Sequence, residues 1–335
     1  MKKIIALSIS LLLSTNAFAA NSGSCGEDCT FSFNSTTGEL TITGTGAMTD
    51  YAAYTDAPWI GLRNRIKTIT ISEGITKVGN WSFTASGALT TVNLPDSLTT
   101  IGTAAFKQAG KLKNVEIPSG VKNINSQAFY ASGLTSVELP EDLKSLGSWS
   151  LAQTALKTVT IPSGITKLPD DLFLSTRSLK EVILPDTLTT IGYRSFYDTG
   201  LTSITIPETV TKIDRLAFYN TQLTTIIIPQ GVTEIGIQAF KGTTTLESMW
   251  CFQSQKTMCQ TSINNSNLDP SILHLYGMND HGRYVMDGKE YASFEDMQNG
   301  IEYDHSMADN PIFGTTTGHH PYAVPSKSLP NTVVN

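Results

Sequence analysis

The chain has 335 residues, long enough for two ordinary domains, and its 40 % hydrophobic content is enough to fill a core. Charged residues make up only 16 % and the formal net charge is −6, which excludes the basic groove of a nucleic-acid binder and the basic face of an anionic-membrane binder. Thr, Ser, Gly and Asn take the place of charge, a surface suited to an extracytoplasmic protein.

Lys2 and Lys3 precede an apolar run from Ile4 to Leu13, followed by Ala17-Phe18-Ala19. This is the layout of a secretory signal peptide over residues 1–19, with cleavage before Ala20. The run is too short for a permanent anchor, and no later stretch reaches the ~18 apolar residues of a spanning helix, so no membrane insertion is expected after cleavage. Export to the exterior or cell surface is expected, with a periplasmic location as an alternative.

Residues 20–63 read as an N-terminal β-hairpin cap. Phe31 and Phe33 alternate, Asn34 to Gly38 supply a loop, and Leu40 and Ile42 alternate again. Pro58 and Trp59 help to plug the end of the segment that the cap precedes.

That segment, residues 64–250, is a repeat. Pro95, Pro118, Pro140, Pro162, Pro185, Pro207 and Pro229 stand 23, 22, 22, 23, 22 and 22 residues apart. Leading leucines from Leu89 to Leu246 and closing phenylalanines from Phe83 to Phe240 keep the same register. Ile66 to Phe83 is an earlier copy with Ser72 in the proline slot, which makes about eight copies and a partial ninth strand at Met249 to Cys251. In the copy Leu201 to Phe218, Ile204 and Ile206 alternate, which predicts a strand from Ser203 to Ile206 that Pro207 stops. A fixed period of this length with one short strand per copy marks an α/β-type leucine-rich solenoid, its short parallel strands on one face. Copies must stack, because none buries its apolar face alone.

Two copies are irregular. One has Trp149 and Leu151 where an Ala-Phe ending is expected, and the next has Pro169 in place of a glycine.

The solenoid also constrains the four cysteines. Cys25 and Cys29 precede it and Cys251 and Cys259 lie beyond it. Eight or nine strands at ~4.8 Å hold the ends roughly 40 Å apart, and a disulfide needs alpha carbons within about 7 Å. Local pairs, Cys25–Cys29 and Cys251–Cys259, are therefore expected.

The leader CGEDCTFSFNSTTGELTITGTGAMTDY, the Ala57-Pro58-Trp59 after it, and repeats of the form LxxVxIPxxVxxIxxxAF resemble the BspA-like leucine-rich repeat proteins. The resemblance runs from Cys25 to Met249. It implies a secreted or surface-exposed bacterial protein that engages other proteins, in some members as an adhesin for host matrix or other cells. The partner implied is a protein or glycan on such a surface. One departure is the linker between the aromatic and the next Leu: family repeats often carry a Cys there, whereas this chain has residues such as Ala131-Ser132 and Asp198-Thr199.

Side chains that alternate outward from the strands are the candidates for contact. Glu116 and Glu138 are expected one strand spacing apart, with Glu181 further along. Ile183 and Ile227 place apolar groups around Thr205. These six form the candidate sheet-face patch, acidic at one end and apolar at the other.

Residues 251–300 read as a small C-terminal cap. Thr261 to Asp269 is polar and Asn-rich, a predicted loop, and Ile272 to Tyr276 adds a closing strand. Tyr284 to Met286, Asp287-Gly288 and Lys289 to Tyr291 predict a hairpin with a type I′ turn. Ser293 with Asp296 predicts a capped helix from Phe294 to Gln298. Residues 301–335 lack any period and read as a loosely ordered tail. Leu329-Pro330-Asn331-Thr332 resembles a sortase signal, but Val333 stands in the place of its glycine.

No P-loop, GxSxG, HExxH or dinucleotide fingerprint occurs. The histidines, His274, His281, His305, His319 and His320, fall in no recognised metal-ligand spacing. No cofactor and no metal are implied, and the expectation is a binding protein rather than an enzyme. An exported enzyme or metal site would require at least two of His274, His281 and His305 to converge. A passive envelope spacer is the third reading.

Overall fold

A computed structural model describes residues 21–300. The expected signal peptide, the tail and its sortase-like segment, and His305, His319 and His320 lie outside the described residues. The chain divides between His274 and Leu275 into two compact units.

The first unit opens with three antiparallel strands, Ser22–Gly26, Cys29–Asn34 and Glu39–Gly44. Cys29, Phe31 and Phe33 face inward and their neighbours outward, as the alternation predicts. Glu39–Gly44 then pairs in parallel with Thr68–Ile71, Leu40 opposite Ile69. The hairpin thus hands an antiparallel edge over to a parallel stack.

Each coil of that stack has three bonded faces. The first carries the expected strands, such as Thr68–Ile71 beside Thr91–Asn93, Glu181–Ile183 beside Thr158–Thr160, and Thr225–Ile228 beside Ser248–Phe252. The second, which the sequence did not suggest, is a ladder of short bridges. It runs from Ile75–Val78 through Thr100–Ile101 and Asn123–Ile124 to Ser145–Leu146, and resumes from Lys167–Leu168 to Glu234–Ile235. Its interruption falls at Pro169. In regular coils the residue after the second aliphatic donates its N–H to the coil before, as Gly102 does to Val78 O (2.9 Å), Asn125 to Ile101 O (2.9 Å) and Gly147 to Ile124 O (2.8 Å). Proline has no such donor, so the ladder stops.

The third face carries an unusual backbone. Two residues on either side of each closing aromatic lie in the left-handed region, for example Trp81 (φ 60°) and Ala85 (φ 57°) around Phe83. The N–H groups of Trp81, Phe83 and Ala85 all point to the next coil, on Thr103, Ala105 and Lys107 O at 2.7–2.8 Å. Ala104, Phe106 and Gln108 repeat the pattern on Ser126, Ala128 and Tyr130 O. Left-handed backbone costs a non-glycine residue roughly 1–2 kcal/mol, which the bonds to both neighbouring coils offset. The coil-to-coil bonds of this face all run one way, N–H of one coil to C=O of the next, so its first coil is left with orphan carbonyls and its last with orphan N–H groups.

Both ends are covered by specific backbone and side-chain groups. At the first coil Asn80 O accepts from Tyr51 N–H (3.3 Å) and Ser82 O from the Trp59 indole (2.7 Å). At the last coil Phe240 N–H donates to Ser266 Oγ (3.3 Å). The amide of Gln255 donates to Pro229, Gln230 and Val232 O at 2.8–3.1 Å.

Inside, the closing aromatics form stacked columns. Trp59, Phe83, Phe106 and Phe129 succeed one another at 5.4–5.5 Å, and Phe173, Phe196, Phe218 and Phe240 at 5.2–5.6 Å. Fully buried Leu151 separates the two runs. Beside them runs a column of buried hydroxyls, including Ser132, Thr154, Thr199 and Thr221. Thr154, Thr199 and Thr221 each bond the carbonyl three residues back, at 2.9–3.1 Å. Hydroxyls thus line the linker between the closing residue and the next leucine.

Sequence expectations change at four segments. Residues 203–206 form no strand, and neither do Asn114–Glu116 or Ser136–Glu138. Linker length accounts for most of this. Five residues separate Phe83 from Leu89, Phe173 from Leu179 and Phe240 from Leu246, and each of these linkers leads into a closed strand pair. Four residues precede Leu134, Leu156, Leu201 and Leu223, and each of those junctions is open, with one backbone bond such as Thr135 N–H to Lys113 O (2.9 Å). A missing residue shortens reach by about 3.3 Å, most of a strand spacing, and draws the next strand off the ladder. Finally, Lys256–Ser266 is a helix where Thr261 to Asp269 was expected to be a loop. Cys259, Ser262, Ile263 and Ser266 are its buried stripe and Asn267 (φ 56°) ends it, so tertiary packing overrides indifferent helix propensity.

Both expected disulfides form, Cys25–Cys29 and Cys251–Cys259. The second ties this helix to the last strand. With its cysteines eight residues apart, opening it is expected to lower stability by about 2–3 kcal/mol from loop entropy. Urea unfolding of a Cys251→Ala/Cys259→Ala chain measures this, and an unchanged midpoint would show the staple to be idle.

In the second unit, strand Leu273–Met278 enters and pairs with Tyr284–Met286, which pairs with Lys289–Tyr291. Asp287 (φ 53°) and Gly288 (φ 81°) make the expected I′ turn. Ser293 Oγ accepts from Asp296 N–H (3.0 Å) and caps the helix Phe294–Gln298. Tyr276, Tyr284 and Phe294 pack as its aromatic core.

Candidate interaction surfaces

The six sheet-face residues are all exposed. Glu181 and Ile183 sit on the strand Glu181–Ile183, with Ile183 53 % exposed, and Ile227 on the strand Thr225–Ile228 is 37 % exposed. Glu116, Glu138 and Thr205 lie on the open segments. Glu116 and Glu138 therefore occupy successive coils without the strand pairing expected to hold them side by side. Between Thr90–Leu94 and Lys113–Pro118 the opening is a cleft of about 630 Å³, also lined by Asp96. A second cleft, about 350 Å³, lies between Lys144–Leu146 and Gly164–Asp170, where Pro169 interrupts the second ladder.

A larger gathering of side chains stands on the turn face, where the inward Phe leaves its neighbours pointing out. Arg194 lies over the rings of Tyr193 (4.7 Å), Trp149 (5.5 Å) and Tyr197 (5.9 Å). Arg215 lies over Tyr193 (5.0 Å), and Tyr197 and Tyr219 stack in parallel at 4.6 Å. Tyr130 meets Trp149 edge-on at 5.8 Å, and Lys107 bridges Tyr130 and Trp81. The result is a belt of half-buried aromatics and cations crossing most of the coils.

The belt is anchored from beneath. Asp171 is buried, 4 % exposed, and its carboxylate meets Arg194 Nε at 2.6 Å. Burial pushes the Asp171 carboxyl above its ordinary value, while Arg194 pulls it back. Beside the stacked tyrosines, Asp198 accepts from Arg177 Nε (2.9 Å), Ser175 (3.1 Å) and Asn220 (2.8 Å). Burial, then Tyr219 and Asp198, push the Tyr197 phenol up.

Sequence reasoning missed this belt. The signal was present: tyrosine directly succeeds the closing Phe at Tyr130, Tyr197 and Tyr219, and Trp81, Trp149 and Arg194 share the position two before the closing residue. Trp149, irregular within its copy, is one of the central members.

His274 is half-buried with its ring stacked on Trp250 at 4.5 Å. His281 is exposed, its backbone N–H held by Asn279 Oδ1 in a tight turn. No group of three or more His, Cys, Asp or Glu suited to a metal ion occurs among the described residues. No described helix is long and apolar enough to cross a membrane.

Comparison with known proteins bears on the fold. No curated protein matches the chain. A solved leucine-rich repeat protein from Eubacterium ventriosum is 24 % identical, with 69 % of this chain and 72 % of that one covered at a TM-score of 0.53. Another from Bacteroides ovatus is 24 % identical over 64 % of this chain and 66 % of that one, at 0.39. A leucine rich cell surface protein from Faecalibacterium prausnitzii is 25 % identical over 78 % and 59 %, at 0.36. The family model described as a BspA type leucine rich repeat region matches residues 63–180 and 166–276, in six copies. With the repeat register, the stacked coils and this match in agreement, the chain belongs to the BspA-type leucine-rich repeat family.

Proposed function

We propose that this is an exported, non-enzymatic solenoid that binds proteins on host matrix or other cells, and that the aromatic–cation belt is its principal contact surface. The carrying observation is the belt itself. Trp, Tyr and Arg are the residues that dominate binding energy at protein interfaces, and here they stand in register on a rigid face. Family membership, the two disulfides and the signal-like N-terminus support export and binding.

The geometry favours protein over glycan. Tyr197 and Tyr219 spend their ring faces on each other, and Tyr193 and Trp149 lie against Arg194. With ring faces already engaged, these half-buried rings suit peptide and carboxylate groups better than the flat face of a sugar. The sheet-face residues Glu116, Glu138, Glu181, Ile183, Thr205 and Ile227 form a second, polar contact face in this reading.

The test is adhesion of the secreted chain to a matrix preparation and to whole host cells. A Tyr197→Ser/Tyr219→Ser chain is expected to lose tenfold or more in affinity while keeping its circular dichroism. A chain changed at Glu116, Glu138, Ile183 and Ile227 together is expected to lose less. The reverse order would move the principal surface to the sheet face, and no adhesion by the parent chain would sink the adhesive function.

A further inference from the structure

The first-face junction between Thr91–Asn93 and the coil after it departs from the linker rule. Its linker, Lys107 to Lys111, has the five residues that close the strand pair elsewhere. The other two faces are closed here: Thr100–Ile101 bridges Asn123–Ile124, and Ala104, Phe106 and Gln108 donate to the next coil. Only the first face is open, and the opening is the cleft of about 630 Å³. Thr91–Asn93 spends one edge on Thr68–Thr70, so its other edge faces the cleft unpaired. Across it, the N–H groups of Lys113, Asn114, Val115, Glu116 and Ile117 have no backbone partner among the described residues.

We propose that this cleft takes an extended peptide of a partner protein by strand addition. Unpaired strand edges are templates for another backbone, and an extended peptide carries N–H and C=O groups at the matching repeat. The span fits a strand of about five residues, a common length. Charge sets the direction. Lys113 stands at the beginning of the cleft, and Glu116 and Asp96 at its far end. All pairing on this face of the stack is parallel, so the peptide that fits enters with an acidic residue at its N-terminal end and a basic one at its C-terminal end. This site is separate from the aromatic belt and stands without it.

The experiment uses the secreted chain and fluorescein-labelled hexapeptides, Glu-Val-Thr-Val-Thr-Arg and its charge-swapped form Arg-Val-Thr-Val-Thr-Glu, read by anisotropy. The first is expected to bind saturably and about tenfold tighter than the second. A Lys113→Glu/Glu116→Lys chain is expected to invert that order. N-methylation of the inner peptide amides is expected to abolish binding, and hydrogen exchange in the complex to slow at alternate amides within Asn114 to Ile117, those on the cleft edge. No saturable binding by either peptide overturns the proposal. So does equal binding of N-methylated and parent peptides, or protection elsewhere than at these amides. Loss of peptide binding in the Tyr197→Ser/Tyr219→Ser chain would place the peptide on the belt and overturn it too. Failure of that chain's adhesion test alone leaves the peptide measurement unaffected.

Discussion

A Trp59→Ala chain is expected to lose about 4–5 kcal/mol of stability, the largest loss from any single change at the N-terminal end. Trp59 is 1 % exposed and stacks on Phe83 at 5.4 Å, with Phe31 and Tyr51 edge-on to it at 5.1 and 6.1 Å. Truncating a buried aromatic to Ala costs about 3–5 kcal/mol. The indole also donates to Ser82 O, one of the aligned carbonyls with no coil before it to supply an N–H. Stranding that carbonyl adds roughly 1–3 kcal/mol, less whatever water recovers in the enlarged space. Trp59→Phe separates the two contributions. It keeps a ring on Phe83 and removes only the donor, so a loss of about 1–2 kcal/mol is expected. Urea unfolding gives both numbers. Hydrogen exchange should show Thr68–Ile71 loosening first, because a solenoid frays from an uncapped end. If Trp59→Phe and Trp59→Ala lose the same amount, the capping of the aligned carbonyls, rather than the stacking, carries the whole effect.

This end shows where sequence and fold part company. Leu89 to Leu246 and Phe83 to Phe240 were legible because a stacked core demands the same side chain at the same place in every coil. The hairpins were legible because alternation and Asp287-Gly288 are local signals. The third face was not. Its left-handed positions are filled by Trp81, Ala104, Gln127, Asp171 and Leu216 alike, so the conformation is imposed by bonding between coils and leaves no residue signature. Since that face was invisible, so was the need to cover its last N–H groups, and with it the reason an Asn-rich stretch folds as Lys256–Ser266. The candidate site divides the same way. Exposure of Ile183 and Ile227 could be read from strand alternation, whereas the belt needed to be known as a face before Tyr130, Tyr197 and Tyr219 could be seen as a row. The open junctions were legible only in part: four residues before the next leucine mark those at Leu134, Leu156, Leu201 and Leu223, whereas the junction at Leu112 opens despite five.

The belt's anchor gives the other large effect. An Arg194→Ala chain is expected to lose about 3 kcal/mol at neutral pH, the lower end of what removing one partner of a buried ion pair costs. The lower end applies because the Arg194 side chain is 27 % exposed while that of Asp171 is 5 % exposed. Asp171 has little room to turn away, since its backbone is held at φ 59° by the third-face ladder. The variant retains a buried carboxylate with no cation and with Asp170 repelling it. The direction of the carboxyl's shift sets the pH dependence. In the native chain burial already outweighs Arg194 and holds the carboxyl above its ordinary 3.8, and removing the guanidinium raises it further. Between the ordinary and the raised value the folded state binds the proton that the unfolded chain has released, so stability falls as pH rises through that window. The Arg194→Ala chain is therefore expected to recover much of its loss in acid, near the ordinary carboxyl pKa of about 3.9, and to lose it again towards neutrality. Adding Asp171→Asn removes the stranded charge, and the double variant should be more stable than Arg194→Ala at neutral pH, with a flatter profile. Urea unfolding across this range is the measurement. A loss that is the same in acid and at neutral pH would show that Arg194 stabilises through its packing on Tyr193, Trp149 and Tyr197 alone, leaving Asp171 no electrostatic part in holding the belt.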